Sequence, residues 1–165
     1  MRLNFILFTL SYNRLVMNDE IYILDRPTVK IILNKNIELF TVRILSNDEY
    51  NPEGFEEFLN YFRNTWKLIK ATTDIFTLYV DIQAEKDNEL PLPAYMNLLR
   101  CITDVNEILK TNCHCICIFT KEAKKWQDAY NFITTLWNPK ENRPIKFTDN
   151  QEDKTVFLQS NKLIT

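Results

Sequence analysis

From Asn51 to the C-terminus the sequence alternates between apolar stripes at helical spacing and short apolar runs, and few architectures accept that alternation. Phe55, Phe58, Leu59, Phe62, Trp66 and Ile69 recur at i, i+3, i+4, i+7, i+11 and i+14. That is one face of a helix, opened by Asn51-Pro52-Glu53 with a capping side chain, a proline in the first turn and an acid beside it. Residues 75–82 then form a nearly continuous apolar strand. A second stripe follows at Tyr95, Leu98, Leu99, Ile102, Val105 and Leu109, and residues 113–119 form another strand apolar on both faces. Thr120 is placed to cap a third helix bearing Ala123, Trp126, Tyr130, Ile133 and Trp137, ended by Asn138-Pro139. A short strand at 144–147 and a final helix opened near Asp149-Asn150 close the chain.

Upstream, residues 20–25 and 28–33 read as strands around Arg26-Pro27. A polar turn, Asn34-Lys35-Asn36, leads to a third strand at 37–45, which makes a hairpin. The spacing predicts helices over 51–70, 93–110 and 122–137. The order of elements predicts an α/β fold: a mixed β-sheet with an N-terminal hairpin followed by βαβαβα units, its later strands parallel through right-handed crossovers. At 165 residues and 19.7 kDa the chain is expected to form a single domain, 1–165.

Composition narrows function by exclusion. The formal net charge is -2, so no basic surplus exists to neutralise a nucleic-acid backbone, and no nucleic-acid partner is expected. The only glycine is Gly54. Dinucleotide fingerprints, P-loops and nucleophile elbows all require glycines, so none of these is built here. Asn, Lys and Ile are abundant, as AT-rich codons produce in an AT-rich microbe or a large DNA virus.

Residues 5–10 (Phe-Ile-Leu-Phe-Thr-Leu) form an apolar run too short to span a bilayer and not followed by a cleavage-site pattern. Two readings stand for residues 1–16: an N-terminal arm or extra edge strand, or an extension ahead of a start at Met17.

Cys113, Cys115 and Cys117 alternate, which suits a buried strand better than a disulfide framework. A straight strand cannot converge them on one tetrahedral ion, and His114 would point to the opposite face, so no metal is expected. The reading is a reducing, cytoplasmic compartment, or host cytoplasm or virion if the protein is viral. His114 is the only histidine and sits in mid-strand as a satisfied buried imidazole, which leaves no Ser-His-Asp or Cys-His arrangement. Asp81 lies near the carboxyl end of a central strand, the edge at which open α/β sheets bind ligands. No second carboxylate or lysine accompanies it in a motif, so no enzyme activity and no cofactor is expected.

Leu78-Tyr79-Val80-Asp81-Ile82, a strand ending in an aspartate, and Ile145-Lys146-Phe147-Thr148-Asp149-Asn150 followed by Thr155-Val156-Phe157-Leu158 resemble two segments of the STAS family. These are the domains of sulfate-transporter tails and anti-sigma-factor antagonists. The resemblance runs over residues 20–161 and implies a STAS-like fold and binding by the loop after the Asp-bearing strand with the helix that follows. Signalling members carry a phosphorylatable Ser or Thr there. Here the stretch is Gln83-Ala84-Glu85-Lys86-Asp87-Asn88-Glu89, without a hydroxyl, so no phospho-switch is expected.

The expected function is a non-enzymatic STAS-like protein-interaction module. Its partner-binding residues are Asp81, Glu85, Asp87, Glu89 and Tyr95, facing a protein partner or a second copy of the chain. The alternative is a structural component of a larger assembly such as a viral particle. It would engage its neighbours through residues 5–10 and through a second apolar stripe on the third helix, Ala129, Phe132 and Leu136.

Overall fold

The structure is a computed structural model. It describes residues 20–45, 51–72, 74–83, 91–137 and 143–161, without the side chains of Tyr95 and of residues 133–137. Residues 1–16 and the acids Glu85, Asp87 and Glu89 lie outside the described residues, as do the side chains of Leu136 and Trp137. The strands are β1 (Glu20–Asp25), β2 (Val29–Asn34), β3 (Leu39–Ile44), β4 (Phe76–Ile82), β5 (Cys113–Thr120) and β6 (Ile145–Thr148). The helices are α1 (Pro52–Thr72), α2 (Leu92–Asn112), α3 (Ala123–Trp137) and α4 (Gln151–Ser160).

The strands lie in the sheet in sequence order, β1-β2-β3-β4-β5-β6. β1–β2 and β2–β3 pair antiparallel, and β3–β4, β4–β5 and β5–β6 pair parallel. This is the expected mixed α/β sheet. Because every crossover steps in the same direction, a single handedness carries each connecting helix to the same face. The core bears this out. Leu24, Ile31, Leu33, Phe40, Val42, Phe76, Leu78 and Cys113 of that face pack against Leu59, Phe62, Trp66 and Ile69 of α1 and Cys101, Val105, Ile108 and Leu109 of α2. Phe147 stands in register with Ile118 on the same face, and its ring meets Tyr130 of α3 at 5.6 Å.

The helix ends follow the sequence signals. Asn51 Oδ1 accepts the Glu53 and Gly54 N–H groups, and Asn150 Oδ1 accepts those of Glu152 and Asp153. Thr120 Oγ1 accepts the Glu122 N–H. In the β2–β3 turn, Asn34 Oδ1 accepts the Asn36 and Ile37 N–H groups, an Asx turn. Glu38 closes that turn with φ 50, the left-handed conformation that usually recruits glycine. Gly54 sits instead in the first turn of α1, where an added Cβ would meet only Asn51 atoms, the nearest at 3.7 Å.

Three expectations need correction. The buried stripe of α2 runs through Ala94, Cys101, Val105, Ile108 and Leu109, and Ile102 is 41% exposed. α2 packs against α1 along its flank, with Cys101 Sγ directed at the Leu59 carbonyl, which rotates the stripe away from Ile102. The alternating cysteines do not share a face either. The β4–β5 register shifts between Phe76 and Leu78, so Cys113 enters the core while Cys115 turns to the far side and meets Thr77 Oγ1 at 3.4 Å. His114, expected buried, is half-buried. A comparable shift in β1 between Tyr22 and Leu24 places Leu24 in the core.

Candidate functional site

The far face of the sheet is built from register rows. One row carries Thr41, Tyr79, Cys117 and Lys146, and the next carries Arg43, Asp81, Phe119 and Thr148. Side chains in one row point the same way, so residues distant in sequence become neighbours.

Asp81 is the centre of the second row. Its side chain is 7% exposed, and its Oδ2 accepts the Arg43 Nε–H at 3.2 Å and the Gln83 Nε2–H at 2.8 Å. A carboxylate drawn from water in this way is held by its partners, and removing Arg43 would leave it a buried charge without compensation. Asp81 therefore does not present its carboxylate to solvent. It fixes Arg43, on β3, and Gln83, the last described residue before the acidic segment. The strand order never reverses, so the described sheet opens no crevice between diverging helices at its carboxyl edge.

Beside this pair, the Tyr79 hydroxyl is pushed well above the ordinary tyrosine range. Burial is the main cause, followed by the Asp81 carboxylate and Cys117, with Arg43 opposing. The Cys117 thiol is pushed up to about 11 by burial and by Cys115, with Lys154 and Lys146 opposing. Burial likewise raises Cys101, Cys113 and Cys115. All four are free thiols, buried and favoured in the protonated form by that burial. Among the described residues, no three His, Cys, Asp or Glu side chains converge on a metal position, and no helix is long and apolar enough to cross a membrane.

On the helical side, α2 begins at Leu92 after Pro91, with no side-chain cap. Leu92 is 74% exposed and Met96 45% exposed, one turn apart on one side of the helix. The expected contact at Tyr95 falls on this helix turn, but its side chain is outside the described residues. On α3, Phe132 is 66% exposed and Ala129 is exposed too, the part of the second stripe that is described. The sequence reading missed Arg43 as Asp81's partner. Nothing local signals it, because the two meet only through the β3–β4 register, 38 positions apart.

No family model and no curated protein matches the chain. A solved structure of an uncharacterized protein from the DUF3478 family with a SpoIIAA-like fold, from Shewanella loihica PV-4, is similar at 13% sequence identity. The match covers 79% of this chain and 91% of that chain, with a TM-score of 0.49.

Proposed function

We propose that the protein is a non-enzymatic interaction module that binds a protein partner at the carboxyl edge of β4 and the start of α2. The exposed apolar flank of α2 carries this reading. Leu92 and Met96 stand in water one turn apart on a rigid helix, whereas a folded monomer gains by burying such side chains. An apolar helix flank of this spacing is a common docking element for partner helices. Glu85, Asp87 and Glu89 supply a charged rim in this reading, steering association rather than providing most of the affinity. Asp81 acts at one remove, through the positions it imposes on Gln83 and Arg43. The absence of a hydroxyl between Gln83 and Glu89 favours binding without a phosphate switch.

The test is capture from the native source with three immobilised forms of the full chain: wild type, the pair Leu92→Glu with Met96→Glu, and the triple variant with Glu85, Asp87 and Glu89 changed to their amides. A partner held by the wild type should be lost from the first variant while its circular dichroism stays native. With the triple variant it should associate more slowly, with a flatter salt dependence. Equal capture and equal kinetics by all three forms would sink the proposal.

A further inference from the structure

The far face of the sheet has its own helix, and that helix is attached unlike α1 and α2. No side chain of α4 is buried, and Val156 stands 59% exposed. Lys154, Phe157 and Leu158 are half-buried at most. The Lys154 ammonium lies 5.5 Å from the Tyr79 ring centroid and 5.0 Å from that of Phe119, so it sits between two aromatic faces. Lys146 on β6 reaches Asp153 at 3.7 Å, with both side chains largely in solvent. A cation–π contact of this kind and an exposed ion pair are each weak. α4 also carries its own N-cap on Asn150, so its first turn is closed without help from the sheet.

Tyr79 and Cys117 are paired in register, and Phe119 lies two residues beyond Cys117 on the same side of β5. An ammonium held between these two rings sits beside the Cys117 thiol, which is fully buried and feels the Lys154 charge. We infer that α4 is a displaceable strap, clipped to the sheet by Lys154 between the Tyr79 and Phe119 rings, and that its release uncovers Cys117. The strip it leaves open, Tyr79, Cys117 and Phe119, adjoins the Arg43–Asp81 pair. Elements with few buried apolar contacts open locally at free energies far below global unfolding, which is the behaviour this attachment implies. The inference does not depend on the proposed partner surface.

Site-resolved thiol labelling of the folded full chain tests it, with a maleimide as probe and mass spectrometry to assign each cysteine. Cys101 and Cys113 lie in the core under α1 and α2 and serve as internal references for global opening. Cys117 should be modified faster than either in the wild type. Lys154→Ala should raise its rate about three- to tenfold, the loss of one cation–π clip, with Cys101 and Cys113 unchanged. Lys154→Arg should keep the slow rate, since a guanidinium also stacks on aromatic faces. Lys154 helps the thiol ionise. Its removal would by charge alone slow labelling, so an acceleration reports uncovering. Labelling of all three cysteines in step, or a Cys117 rate unaltered by Lys154→Ala, would overturn the inference.

Discussion

The two faces of the sheet are held by different chemistry. Under α1 and α2 the contacts are apolar and continuous: Phe40 lies 5.0 Å from Trp66 and 5.6 Å from Phe62, ring to ring, and Leu59, Trp66 and Phe40 are fully buried. Across the sheet, the same strands present Arg43, Asp81, Tyr79 and two thiols, joined by an ion pair, one amide hydrogen bond and a lysine between rings. Apolar burial is non-directional and scales with the area removed from water, and the first face buries most of it, so that face sets global stability. Polar contacts depend on each partner staying in place, so the second face can rearrange piecemeal.

The sharpest break of that comparison is a truncation on the packed face. Trp66→Ala should remove roughly 3–5 kcal/mol of stability, as large-to-small core changes do, read as a lower midpoint in urea unfolding. Part of the loss is offset. The Trp66 indole N–H is buried with no acceptor among the described residues, so that polar group is no asset to the native state.

Alkaline pH tests both faces at once. Tyr79 and all four thiols have folded pKa values raised by burial. Above the ordinary thiol range the unfolded chain releases protons that the folded chain retains, so it binds fewer. Stability then falls as pH rises through that range, each group adding a slope approaching about 1.4 kcal/mol per pH unit. Urea midpoints across the alkaline range check this. The double variant Cys115→Ala, Cys117→Ala should remove the far face's thiol share of the slope and leave that of Cys101 and Cys113.

On the polar face, Asp81→Ala leaves Arg43 without its counter-ion. Removing one partner of a fully buried pair costs about 3–5 kcal/mol. Arg43 keeps 36% of its side chain exposed and regains water, so the expected loss is smaller, roughly 1–3 kcal/mol by denaturant titration. A loss equal to that of Trp66→Ala would erase the distinction between the faces. The smallest effect is a gain. Gly54→Ala, within the first turn of α1 and against nothing closer than 3.7 Å, should stabilise the domain by about 0.5–1 kcal/mol in the same titration.

Most of the architecture was legible because its signals are local. Asn51 and Asn150 cap the helices where side chain and spacing indicate, and the Phe55–Ile69 stripe faces the core as its period requires. What escaped is what depends on register and neighbours. The extra residue in β5 that separates Cys113 from Cys115 leaves no trace in an alternating sequence. The preference for Cys101 over Ile102 as a buried residue arises from α1 lying alongside, not from either residue's hydrophobicity. Asp81 was singled out by its place at a strand end, yet its role depends on Arg43, which only the β3–β4 pairing brings near. The left-handed turn residue was likewise hidden, since Glu38 occupies a position where glycine would have announced it.

Native-state hydrogen exchange across a series of sub-denaturing urea concentrations tests the contrast between the faces most directly. Amides of Leu59, Trp66 and Leu78 should exchange only through global unfolding, with the opening free energy and urea slope of the whole domain. Amides of Phe157 and Leu158 in α4 should open several kcal/mol more easily, with a slope near zero, because so little surface is exposed when the strap lifts. If α4 instead shares the opening free energy and urea slope of α1, the two faces form one cooperative unit and the account is contradicted.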